Sequence, residues 1–108
     1  MPVNKQQFGT PFNKTASGTL SAVATQTAGT FVQTWITDIS GSSDATEATM
    51  IVQEGATVIW KEYIKNTTPY HISFQNPITG GQRGTLTTVT VNGTLVSYAN
   101  MSGFQLAP

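Results

Sequence analysis

The chain holds ten charged residues and one histidine in 108 positions, so every group able to do chemistry can be weighed singly. A serine–histidine–aspartate arrangement would have to run through His71. In "YHISFQ" (70–75) His71 alternates with apolar neighbours on the polar side of a strand, which reads as a solvated histidine. There is no cysteine, and one imidazole cannot build a transition-metal site. Asp38, Asp44 and Glu47 in "TDISGSSDATE" carry oxygen ligands that suit calcium, but they lack the tight spacing of a calcium-binding loop. "DATE" within it has the form of a capping box for one helical turn. "GGQRG" (80–84) has the glycines of a phosphate loop without the lysine, hydroxyl and helix that such a loop requires, so it reads as a strand connection. Glu54 and Glu62 are a conceivable carboxylate pair, but they flank a strand turn without any sign of a cleft. These residues predict no catalytic set, no cofactor and no enzyme.

The aromatic residues remain. Trp35 and Trp60 lie mid-strand and read as core, while Tyr63, Tyr70 and Tyr98 suit either a sugar-stacking platform or interface anchors. The stretch "ATVIWKEYIKN" (56–66) sharpens the second reading. With period two, one face holds Val58, Trp60, Glu62 and Ile64, and the other Thr57, Ile59, Lys61, Tyr63 and Lys65. Large apolar groups on both faces predict that Ile59, Lys61 and Tyr63 meet a neighbouring molecule, with the charges setting register.

Composition narrows the function classes. Charged residues make up 9% of the chain, against about 25% in ordinary globular domains, and the net charge is zero. Nineteen threonines and eight serines supply the polarity instead. A surface so poor in charge favours association. Five basic residues matched by five acids leave no electrostatic footprint for nucleic acid. The first 14 residues have no apolar signal core and no run reaches membrane-spanning length, so the expectation is a protein that stays where it is made. Four N-x-S/T sequons (Asn13, Asn66, Asn92, Asn100) arise easily in a chain one quarter Ser and Thr.

The elements that must position these groups are strands. Residues 1–17 show no sustained period and hold Pro2 and Pro11, which predicts an irregular arm, either a disordered terminus or an extended arm whose Phe8 and Phe12 insert into an adjacent subunit. Strands are expected at 18–27, 30–39, 48–53, 56–64, 70–75, 85–91 and 94–99. Residues 40–47 and 76–84 read as loops. In the 30–39 strand, Phe31, Trp35 and Ile39 share one face, with Val32 and Ile36 on the other. Asn92-Gly93 is a strong hairpin signal, since it supplies the two positive φ angles of a type I′ turn. No window carries a helical period. The fold expected is all-β, a single antiparallel β-sandwich of jelly-roll or immunoglobulin-like kind over residues 18–108, with Trp35, Trp60, Ile72, Phe74, Val89 and Val91 inside.

From Trp35 onward the succession "SGSSDATEATMIVQEGATVIW", an N-T-T-P linker, "ISFQNPITG", "TLTTVTVNGT" and "YANMSGFQ" resembles small β-sandwich structural proteins of tailed-phage virions. The matching positions are Gly55, Thr57 to Trp60, Phe74, Pro77, Gly93 and Ser102 to Phe104. The resemblance implies a capsid decoration (cement) subunit on the virion surface, made in the host cytoplasm. It also implies a tail or adaptor component as a variant, self-association as a homo-oligomer, and the major capsid protein or other virion proteins as partners. Its interface would use Phe8, Phe12, Ile59, Lys61, Tyr63 and Tyr70. The other class left open is a carbohydrate-binding module using Tyr63, Tyr70 and Tyr98, with calcium at the Asp38–Glu47 loop.

Overall fold

Alternation of inward and outward side chains, not a helical period, runs through the regular elements. The computed structural model describes residues 9–107, and these form strands with no helix among them. They are β1 (Thr10–Gly18), β2 (Ser21–Gln26), β3 (Gln33–Ser43), β4 (Glu47–Glu54), β5 (Thr57–Lys65), β6 (Tyr70–Ile78), β7 (Thr87–Gly93) and β8 (Ser97–Leu106). Two four-stranded antiparallel sheets result: sheet A in the order β1-β8-β3-β6 and sheet B in the order β2-β7-β4-β5.

The pairing has a simple logic. Strands β1 to β4 run antiparallel to β8, β7, β6 and β5 in turn, as one long hairpin closed at the Glu54-Gly55 turn and then rolled up. That is the jelly roll, and it decides between the two sandwich kinds the sequence allows. Gly55 has a φ of 60°, as a tight turn there requires.

The core lies between the sheets. Ala22, Ala24, Ile36, Ile39, Met50, Val52, Val89, Val91 and Met101 are all at or below 1% exposure. Each buried Ile, Val or Met is worth about 1.5–3 kcal/mol. Val89 and Val91 are fully interior as expected, whereas Trp60, Ile72 and Phe74 are half-buried at the rim. Trp60 meets Phe74 edge-on, ring centroids 5.2 Å apart, and closes the open side between β5 and β6. Trp35 is half-buried too, but on the outer side of sheet A, where its ring stacks on Phe104 at 6.2 Å.

Two β-bulges correct the period-two reading. In β3 the register shifts between Ile36 and Asp38, so Thr37 is the extra residue. Ile36 and Ile39, three apart and expected on opposite faces, both reach 0% exposure because of it. Phe31, expected to share a face with Ile39, precedes the strand and stands 68% exposed. In β5, Val52 pairs with Trp60 and Gln53 with Val58, leaving Ile59 as the bulged residue. Val58 therefore turns outward, and Ile59 packs against the core rather than joining Lys61 and Tyr63.

Other boundaries also differ from expectation, and the strand expected at 94–99 is Ser97–Leu106, held by pairing with β1 and β3. Residues 10–17, expected irregular, form β1, because nine consecutive residues find partners on β8 from Gln105 to Ser97. An edge strand tolerates Pro11, whose missing N–H faces away from the ladder. Phe12 packs against the chain's own core. Phe8 lies outside the described residues. Residues 40–43, expected as loop, extend β3, and residues 76–78 extend β6.

The expected hairpin at Asn92-Gly93 is absent. Strand β7 lies in sheet B and β8 in sheet A, so the chain crosses between sheets there. Neither residue has a positive φ. Gly93 is required instead by close approach: a Cβ there would stand 2.5 Å from Ser43 Oγ and 3.2 Å from Ser97 Oγ.

Candidate functional site

Register lays the outer face of sheet A out as a grid. One row across all four strands is Thr15, Asn100, Ser40 and His71. The next is Asn13, Ser102, Asp38 and Ser73, and on the other side lie Ser17, Tyr98 and Ser42. The alternation that buries Ile39, Ala99 and Met101 turns these residues outward, so a polar face is the other side of the core pattern.

Hydrogen bonds order the grid. Asn100 Nδ2 donates to Asn13 Oδ1 at 2.9 Å and to Thr15 Oγ1 at 2.6 Å. Ser73 Oγ donates to Asp38 Oδ1, and His71 Nε2 lies 3.8 Å from the same oxygen. The Ser73 hydroxyl holds the Asp38 carboxyl below the usual carboxylate range. Partial burial opposes this, while Thr37 and the His71 imidazole add to it.

Histidine, serine and aspartate therefore do meet, but in the wrong order for nucleophilic catalysis. The carboxylate is the hub and both other groups point at it. A hydrolytic triad needs the imidazole between the serine and the acid.

A shallow groove of about 190 Å³ opens on this face beside the β5–β6 connection. Tyr98, 44% exposed, and Asn100 form one side, with Ser40 between, and Tyr70 and His71 the other. Burial pushes the Tyr70 hydroxyl above its ordinary range, and the nearby Glu62 carboxylate adds to the shift. Glu62 pairs with Met50, so its strand position faces inward between the sheets near their open side.

The tyrosine platform is thus only partly assembled. Tyr70 and Tyr98 share this groove, while Tyr63 stands on the outer face of sheet B, 63% exposed. Of the six interface residues expected, Lys61 and Tyr63 are exposed on that outer face, whereas Phe12, Ile59 and Tyr70 pack against the core. The polar grid of Asn13, Thr15, Asn100 and Ser40 is a feature the sequence reading missed. Its signal was there in the alternation of "NKTAS" and "SYANMS", which only pairing could bring together.

The three acids of the calcium alternative do not converge. Asp38 faces out from sheet A, Asp44 sits at the β3–β4 corner, and Glu47 faces out from sheet B. Among the described residues no three His, Cys, Asp or Glu side chains come together as a metal site. No helix among them is long and apolar enough to cross a membrane.

One acid does have a defined structural task. Glu54, 1% exposed, accepts the backbone N–H of Gly80 at 2.7 Å and of Gln82 at 2.6 Å. It anchors the long β6–β7 connection against the β4–β5 turn.

No protein-family model matches the chain, and no curated protein matches it in sequence. Solved structures do. The chain is similar to the carbohydrate-binding module CBM36 in complex with calcium and xylotriose, at a TM-score of 0.54 and 13% identity, covering 86% of this chain and 98% of that one. It is also similar to the CBM36-1 domain of a multidomain xylanase from the hindgut metagenome of Trinervitermes trinervoides, at 0.48 and 14%, covering 91% and 97%. A third likeness is to the virus-like particle of Macrobrachium rosenbergii extra small virus, at 0.38 and 12%, covering 97% and 83%. The first, above 0.5, shows a shared β-sandwich fold.

Proposed function

We propose that the chain is a non-enzymatic carbohydrate-binding domain whose site is the groove on the outer face of sheet A. One observation carries this reading. An exposed tyrosine, an imidazole, an amide and a serine hydroxyl line one groove, with no assembled nucleophile, acid–base pair or metal cluster among the described residues. A sugar ring presents an apolar face and a rim of hydroxyls. The exposed Tyr98 ring supplies a stacking surface, and Asn100, Ser40 and His71 supply donors and acceptors for the rim. The fold shared with the xylotriose-bound module agrees with this reading without choosing the sugar.

Affinity electrophoresis through gels containing soluble xylan, β-glucan or galactan tests it. Retardation by at least one polysaccharide is expected, with a loss of at least tenfold in affinity for Tyr98→Ala and for His71→Ala. Chelator is expected to leave binding unchanged, since Asp38, Asp44 and Glu47 stand apart. Absence of retardation on every polymer would remove the reading.

A second reading, a self-associating virion subunit, is favoured by a separate observation. Leu20, Val23, Phe31, Val58, Leu86 and Leu95 are all more than 40% exposed in a chain with five basic and five acidic residues. Jelly rolls serve viral capsids as well as lectins. Concentration-dependent sedimentation, and copurification with assembled particles at fixed stoichiometry, would favour this reading over the first.

A further inference from the structure

A second concavity lies on the other sheet. An open trough of about 610 Å³ runs along β4 on the outer face of sheet B. Its shape follows from side-chain size. The floor is the short Thr49, which pairs with Tyr63 on one side and Asn92 on the other. Tyr63 and Lys65 rise as one wall, Asn92 and Thr94 as the other, and Glu47 stands at the end.

Three features point to a ligand of particular chemistry. Tyr63 is 63% exposed, and Lys61 Nζ sits over its ring at 5.4 Å from the centroid, which occupies one ring face and leaves the other for stacking. Lys65 stands opposite Glu47 in register, yet the two form no ion pair; the ion pair within 4 Å among the described residues is His71–Asp38. Two of the four basic side chains among the described residues, Lys61 and Lys65, therefore flank one tyrosine, against a single carboxylate. Asn92 and Thr49 add an amide and a hydroxyl between the walls.

We propose that this trough is a second binding site for a pyranose carrying an anionic group, carboxylate or sulfate. The sugar ring stacks on the free face of Tyr63, Asn92 and Thr49 bond its hydroxyls, and Lys65 receives the anion. The exposed Lys65 ammonium adds attraction for an anionic sugar that a neutral one cannot gain, so the site favours charge. The proposal shares its ligand class with the function proposed above but uses none of its residues, and so the two stand or fall separately.

Amide NMR titration of the full chain decides it, with oligomers of glucuronic acid, sulfated oligosaccharide and neutral xylo-oligosaccharide as probes. At least one anionic probe is expected to shift the Thr49, Tyr63 and Asn92 amides, with the neutral probe silent there, and the responding arm identifies the anion. Affinity should fall at least tenfold for Tyr63→Ala and for Lys65→Ala, weaken with added salt, and be unchanged for Tyr98→Ala. Silence of sheet B toward both anionic probes would overturn the proposal, as would shifts that survive Lys65→Ala. Sedimentation showing self-association abolished by Tyr63→Ala, without any anionic-sugar response, would assign the trough to a second copy of the chain instead.

Discussion

Replacing Gly93 with alanine separates two explanations for the same glycine. If Asn92-Gly93 were a type I′ turn, the added Cβ would cost about 1–2 kcal/mol through its positive φ, whatever surrounded it. In the jelly roll the cost is a collision. The new methyl would lie 2.5 Å from Ser43 Oγ and 3.2 Å from Ser97 Oγ, at a node where both serines are buried. Ser43 Oγ accepts the Ala45 N–H at 3.1 Å and the Ser97 hydroxyl at 3.1 Å, and its own hydroxyl faces the Val96 carbonyl at 3.4 Å. Forcing it aside combines overpacking, about 1–3 kcal/mol, with loss of these bonds, so Gly93→Ala should cost about 2–3 kcal/mol. Ser43→Ala alone should cost about 1–2 kcal/mol. In the double variant the methyl has room, so the total should stay near the Ser43→Ala value, a favourable coupling of about 2–3 kcal/mol. Urea unfolding of the four proteins at constant m-value measures the cycle. Costs that add to within about 0.5 kcal/mol would mean that backbone conformation, not the Ser43 contact, requires the glycine.

Glu54→Gln should cost about 2–3 kcal/mol, because an amide can accept only one of the two N–H groups now held, and it should speed hydrogen exchange at Gly80 and Gln82; unchanged exchange would refute the anchoring role. The lowered Asp38 pKa gives a stabilising contribution present above the carboxyl's unfolded value and lost as pH falls through the folded one. A carboxyl NMR titration of Ser73→Ala should move the midpoint back up, and no movement would deny Ser73 its leading part. The raised Tyr70 pKa has the opposite sign: the unfolded chain ionises first, so stability falls as pH rises through the tyrosine range. Phenolate absorbance of Glu62→Gln should show ionisation at lower pH than the parent, and an identical curve would remove Glu62 as a cause.

What the sequence disclosed was everything carried by local alternation. Strands β2, β4, β5 and β7 lie within a few residues of their expected places, and Val89 and Val91 fall inside because the inner face of β7 repeats without interruption. The errors share one cause, which is that a bulge or a pairing partner is not a local property. Thr37 and Ile59 look like ordinary strand residues, and only the register against β8, β6 and β4 makes each an extra one. Residues 10–17 have weak strand character of their own and are held by β8, more than 75 positions away in sequence. Asn92-Gly93 carries a real local preference that the rolled topology overrides. The candidate site was harder still: Thr15, Asn100, Ser40 and His71 come from four strands, and no window of sequence contains two of them at the spacing the sheet gives.

How the fold treats its edges bears on which partner it can take. A free strand edge is the usual route by which β-proteins pair with other chains. Here the edges are blunted. Strand β1 carries Pro11, and Lys14, opposite the fully buried Met101, starts on the inner side and ends exposed. Strand β5 is bent by the Ile59 bulge, β6 carries Pro77 near its end, and β2 is only six residues long. In the functions proposed here, recognition falls to the faces, through side chains rather than through backbone hydrogen bonds. The two faces then differ in kind. Sheet A offers hydroxyls and amides already bonded to one another, which suits exchange of those bonds for a neutral polyhydroxy ligand. Sheet B offers an exposed aromatic ring between two lysines, which suits an anion. A self-associating subunit built on this chain would have to cover one of these faces with the other molecule's side chains. The variants Tyr98→Ala and Tyr63→Ala therefore report on separate faces, whichever partner the chain meets.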